Sequence, residues 1–157
     1  MEKQYDTKVD IWSAGCIFAE FLHVLHSSPN EGNKDRILLP GKSCYPLSPM
    51  PSKQQEKGGS DNEDDIQLHI SSKDQMKHIC RILGTPKTND KSFITDNTAI
   101  DYMNMICEKK HSNKLHSMFP KTSQEIISLV KSMLEFNPHF RITAQEALAH
   151  PIFDSIR

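Results

Sequence analysis

Few side chains in these 157 residues stand at spacings that chemistry requires. His23 and His26 are three apart in a helical pattern, yet no carboxylate or third ligand stands at zinc-site spacing beside them. The acidic run Asp61, Glu63, Asp64 and Asp65 could attract a cation, but it has neither the glycine nor the distal glutamate of a calcium loop. Cys16, Cys44, Cys80 and Cys107 are widely spaced and form no Cys-x-x-Cys pair. Three of them stand in apolar helical contexts, so buried reduced thiols of a cytosolic protein are expected rather than a disulfide or metal framework. Ser28-Pro29, Ser48-Pro49 and Thr85-Pro86 could be phosphorylated by a proline-directed enzyme, although turn punctuation is the plainer explanation for each. The sequence holds no glycine-rich phosphate loop, no Gly-x-Ser-x-Gly elbow and no His-Glu-x-x-His. Residue types and spacing alone therefore describe a helical domain without a visible reactive centre.

The totals narrow the class further. The length suits one domain, and a net charge of −1 with 25% charged residues is ordinary for a soluble protein. Lysines and arginines are scattered rather than striped, which argues against a nucleic-acid partner.

The element that must organise the rest is Tyr5–Leu25, YDTKVDIWSAGCIFAEFLHVL. Apolar residues fall on every side of its helical wheel, and a helix of that kind is expected inside protein. Thr7 and Asp10 have the spacing of a capping box at its start. Glu20 and His23 interrupt the run, so a buried helix is expected and not a membrane span.

Residues 27–72 are rich in proline and glycine. Arg36–Pro51 retains apolar anchors and should be an ordered, turn-rich segment, whereas 52–65 has no apolar side chain and should be a mobile polar insertion. Ser72 and Gln75 then bracket the start of an amphipathic helix with Met76, Ile79, Cys80 and Leu83 on one face. Gly84 and Pro86 end it. Residues 91–118 allow two short helices around a polar turn, Glu108–Lys114. Thr122 with Glu125 and Thr143 with Glu146 mark two further helix starts. The expected fold class is predominantly α.

Five stretches, in order, then resemble one family. Asp10–Gly15, DIWSAG, opening a buried helix, resembles the D-x-W-S-x-G that begins the central helix of the large lobe in protein kinases. LLPGKSCYPLSP and DQMKHICRILGTP are similar to the following loop and helix of mitogen-activated protein kinases, and AIDYMNMI through SMFP to the insert of that subfamily. LVKSMLEFNPHFRITAQEALAHPIF resembles the kinase ending, with its N-P-x-x-R-I-T and A-L-x-H-P-x-F. The 52–65 tract is the main departure.

The resemblance implies a partial helical (C-terminal) lobe of a protein-kinase-like fold over residues 1–157. It implies that Asp10 holds the backbone of a catalytic loop, and that Trp12 and Gly15 pack the start of the central helix. Arg141 corresponds to the arginine that pairs, buried, with a glutamate. Met76 and Tyr102 fall where such kinases form an apolar docking pocket for aromatic substrate motifs, although residues of these types in such helices are more often simply core. Protein substrates and upstream kinases are the implied partners, ATP and magnesium the cofactors of the complete parent, and the cytoplasm, extending to the nucleus, the implied location.

The glycine-rich loop, strand lysine, H-R-D, D-F-G and A-P-E motifs that phosphoryl transfer needs would all precede Asp10. The chain as given is therefore expected to be a lobe fragment of a serine/threonine kinase, inactive alone, with no catalytic, cofactor-binding or metal-binding residue of its own. Arg141 would be left without its carboxylate, at a cost of roughly 3–5 kcal/mol. An exposed apolar patch on the central helix would favour self-association. The alternative reading is a non-catalytic interaction module that binds kinase substrates or other partners.

Overall fold

The structure, a computed structural model, describes residues 6–26, 37–41, 74–107 and 111–156. The 52–65 tract, Ser72, Cys44 and most of Arg36–Pro51 lie outside the described residues. Every regular element described is helical: α1 (Lys8–His26), α2 (Gln75–Leu83), a 3-10 turn (Asn89–Lys91), α3 (Asn97–Ile106), α4 (Leu115–Met118), α5 (Gln124–Met133), α6 (Ala144–Leu148) and a 3-10 segment (Pro151–Ile156). This is the predominantly α architecture that the sequence pattern predicts.

α1 lies chiefly against α5. Gly15, Ala19 and Leu22 form its buried line, with Trp12, Cys16 and Phe18 packed beside them. Across from them are Leu38 and Leu39 of the loop, Leu115 of α4, Phe119, and Ile127, Val130 and Leu134 of α5 or its end. Each such large apolar side chain, fully buried, contributes about 1.5–3 kcal/mol. Gly15 permits the close approach: a Cβ there would lie 2.9 Å from Met133 Cβ and 3.0 Å from Leu134 Cδ2.

The all-round burial expected for α1 is not reached. Ile17 is 56%, Phe21 61% and Leu25 75% exposed, because α5 and its neighbours cover only one side of the helix. The result is the exposed apolar stripe anticipated for an incompletely covered central helix.

Helix starts follow the capping logic with local corrections. At α6 the box forms as expected, with Glu146 N–H donating to Thr143 Oγ1 at 3.2 Å and Thr143 N–H to Glu146 Oε2 at 2.8 Å. At α5 the cap is Ser123, whose Oγ accepts from Ile126 N–H, one residue beyond the expected Thr122. Thr122 Oγ1 is instead bonded to His26 Nε2 at 2.7 Å, tying the end of α1 to the start of α5. At α2 the cap is Asp74, whose carboxylate accepts from Met76 N–H at 2.9 Å and Lys77 N–H at 3.3 Å. Gln75, expected to close a box with Ser72, reaches the Leu39 carbonyl at 2.7 Å and pins the loop to the helix. At α1 the Asp10 N–H bonds the Thr7 carbonyl, while the Thr7 hydroxyl donates to Asp6.

Gly84 ends α2 at φ +95°, a conformation glycine adopts without steric penalty. Beyond it, Thr85 N–H donates to His111 O, His111 N–H to Thr85 Oγ1 and Lys114 N–H to Ile82 O, which stitches the α2 exit to the entry of α4.

Candidate functional site

The residues singled out in the sequence separate into two places. Asp10, Trp12, Gly15 and Arg141 gather at the N-terminal half of α1, whereas Met76 and Tyr102 lie on α2 and α3.

The first place is centred on Arg141, which is buried at 8% exposure. The turn after α5 delivers it: Asn137 Oδ1 accepts from His139 N–H at 2.9 Å, and the Asn137 carbonyl accepts from the Phe140 and Arg141 N–H groups. Asn137 is itself fully buried, and its amide donates to Asn89 O and Ser92 Oγ at 3.3 and 3.1 Å. From that turn the guanidinium spreads over three carbonyls. Nε donates to Glu135 O at 2.9 Å, Nη1 to Lys8 O at 2.7 Å and Nη2 to Phe136 O at 3.3 Å. Its centre stands 4.9 Å from the Trp12 ring centroid, a cation–π contact. Lys8 answers by donating its Nζ to the Arg141 carbonyl.

This arrangement corrects the expectation of a bare buried charge. Carbonyl dipoles and the indole face solvate the guanidinium from within the chain, so the penalty for an unpartnered charge does not apply in full. Burial pushes the arginine pKa down, and Glu135 opposes that shift. Nearby, burial raises the Cys16 thiol, with Glu20 adding to the effect and Arg141 opposing it. A thiol raised in this way is a poor nucleophile at neutral pH.

Asp10 lies in the first turn of α1, exposed, and its carboxylate has no side-chain partner among the described residues. The helix N-terminus favours its negative charge. Asp10 and Arg141 thus sit near the same end of α1 but in opposite states, one open to solvent and the other enclosed.

The second place is the α2–α3 pair. Met76 is half-buried on α2, and Tyr102 and Met103 are buried on α3. The two helices are joined by a disulfide between Cys80 and Cys107, with a Cα–Cα separation of 6.6 Å. This overturns the expectation of reduced thiols for these two residues. Cys16 is free. The pairing follows from helix packing, which sequence spacing does not encode.

Sequence reading left three positions without a role: Lys8, Asp74 and Asn137. The signal for Asn137 was present, since Asn-Pro marks a turn whose side chain bonds the backbone two residues on. Asp74 was overshadowed by the Ser72–Gln75 spacing. For Lys8 no local signal exists, because its partner is 133 residues away.

No three His, Cys, Asp or Glu side chains come together among the described residues, and no phosphoryl-transfer step is assigned to them. No helix among these residues is long and apolar enough to cross a membrane.

The family model described as protein kinase domain matches residues 1–153. A mitogen-activated protein kinase, HOG1A, of Wallemia ichthyophaga is 31% identical over 149 residues, covering 95% of this chain and 30% of that protein. The HOG1 mitogen-activated protein kinase of Wallemia sebi is 30% identical, covering 95% of this chain and 39% of that protein. A mitogen-activated protein kinase of Fusarium vanettenii is 30% identical, with 97% and 32% covered. The chain thus spans about a third of the length of these curated relatives. A tryptophan-backed buried arginine, a glycine-packed central helix and a match across nearly the whole chain lead to one conclusion: this chain belongs to the protein kinase domain family.

Proposed function

We propose that this chain is the helical-lobe part of a mitogen-activated-type serine/threonine kinase, whose complete form transfers phosphate from ATP to proteins in signalling. The family match across residues 1–153 carries this reading. The geometry of Arg141 supports it. Among the described residues, carbonyls engage three of the five guanidinium N–H donors, and the remaining two would suit a carboxylate brought by another segment. The exposed Asp10 beside it suits an anchor for a backbone loop. In this reading the chain supplies scaffold and docking surface, while ATP and magnesium are held by residues outside it. Its partners are protein substrates and upstream kinases, and its location is cytoplasmic and nuclear.

The exposed stripe of Ile17, Phe21 and Leu25 favours a second reading, a non-catalytic module that binds partners, or itself, through α1. Sequencing the complete transcript separates the two. An in-frame upstream region encoding H-R-D, D-F-G, a Thr-x-Tyr loop and A-P-E is the expected result. A transcript whose translation starts at Met1 would favour the binding module.

A further inference from the structure

The two cysteines that join α2 to α3 are not equivalent. Cys80 is 1% exposed, whereas Cys107, at the end of α3, is half-buried and lines a surface cavity of about 220 Å³. Thr85, Pro86, Lys91, Met103 and Asn104 form the rest of that cavity. Lys91 donates its Nζ to Asn104 Oδ1 at 2.7 Å, which holds a positive charge at the cavity wall. Cys107 borders the cavity and Cys80 is not among the residues that line it, and their Cα–Cα distance of 6.6 Å is within the usual reach of a disulfide.

We propose that Cys80 and Cys107 form a reversible redox modification site, with Cys107 the sulfur attacked first and Cys80 the resolving thiol. The oxidant is a hydroperoxide. The Cys107 thiolate attacks the terminal peroxide oxygen and the O–O bond breaks. Cys107 becomes a sulfenic acid, and the departing alkoxide or hydroxide takes up a proton. The Cys80 thiol then attacks the Cys107 sulfur, the S–O bond breaks, and water leaves with the thiol proton as the S–S bond forms. Two thiols have lost two electrons and two protons, and the hydroperoxide has become an alcohol or water plus one further water. A dithiol reverses the bond by exchange, entering at the cavity-facing sulfur. Closing the bond fixes the helix that carries Met76 to the helix that carries Tyr102, so the relative position of these helices becomes sensitive to oxidants.

The test uses the whole chain, first fully reduced. Under native conditions, limiting iodoacetamide followed by tryptic mapping should tag Cys107 (peptide 92–109) roughly tenfold faster than Cys80 (peptide 78–81), given the difference in access. Hydrogen peroxide should then convert these two peptides into one linked species, leave Cys16 alkylatable, and be undone by dithiothreitol. Equal or faster tagging of Cys80 would overturn the proposal. So would the persistence of both as separately alkylatable thiols after peroxide, or a linked species that dithiothreitol does not release from the folded chain.

Discussion

Lys8 and Arg141 hold each other through reciprocal bonds to the backbone: Arg141 Nη1 donates to the Lys8 carbonyl at 2.7 Å, and Lys8 Nζ donates to the Arg141 carbonyl. The start of α1 is thereby clamped to the turn that precedes α6. Replacing Arg141 removes the donor group that, among the described residues, reaches the carbonyls of Lys8, Glu135 and Phe136 together. Each carbonyl left unpaired in a buried site costs about 1–3 kcal/mol. Arg141→Leu should therefore lower stability by about 3 kcal/mol or more, read from the urea midpoint, while Lys8→Met should cost clearly less. Equal effects of the two variants would show that the guanidinium is not the centre of the clamp.

Gly15 sets the distance between α1 and α5. The Cβ of Gly15→Ala would meet Met133 Cβ at 2.9 Å, and the nearby Leu134 side chain leaves little room to yield. A loss of about 1–3 kcal/mol is expected, as overpacking a filled interface costs. A neutral or stabilising Gly15→Ala, measured by thermal or urea unfolding, would mean that α1 and α5 are further apart than described.

The carboxylate of Asp74 closes the first turn of α2 from a buried position. Asp74→Ala should cost about 1–2 kcal/mol, and Asp74→Asn, which keeps an acceptor, less. Hydrogen exchange of the Met76 and Lys77 amides would show the loss locally.

His23 gives a pH signature. Burial lowers its pKa from 6.5, with Glu20 opposing the shift, and its ring meets Phe119 edge-on at 4.7 Å. A lowered folded-state value means that the unfolded chain binds more protons in this range. The stability contributed by neutral His23 is therefore present above 6.5 and is lost as the pH falls through the lowered folded-state pKa. A His23→Gln variant should show a flatter fall in stability below 6.5. An unchanged pH profile would assign that fall to other groups.

The exposed stripe on α1 should make the purified chain self-associate. Sedimentation velocity should show a concentration-dependent shift, and Phe21→Glu, placed at the exposed centre of the stripe, should abolish it. A wild-type chain that stays monomeric and unfolds cooperatively would remove self-association from the account.

Much of this fold is legible in the sequence because local rules coincide with tertiary ones. The Thr143–Glu146 box and Gly84 after α2 are each decided within a few residues of chain. The errors arise where a distant partner competes. Thr122 loses its capping role because His26 takes its hydroxyl, and Gln75 loses its own because the Leu39 carbonyl takes its amide. Apolar periodicity marked α1 as buried but could not tell how many neighbours would cover it. At the candidate site, the D-x-W-S-x-G and N-P-x-x-R patterns pointed to Trp12 and Arg141. The three carbonyls that hold Arg141, and the Lys8 return bond, arise only once α1 and the α5 exit are in contact. The Cys80–Cys107 pairing was illegible for the same reason.

The proposed role is that of a kinase scaffold and docking surface that transfers no phosphate itself. Labelled-phosphate transfer from magnesium-ATP to a general protein substrate, using the pure 157-residue chain, tests it most directly. The account predicts incorporation no higher than in a chain-free control. Incorporation that rises with chain concentration, and that survives further purification, would contradict it.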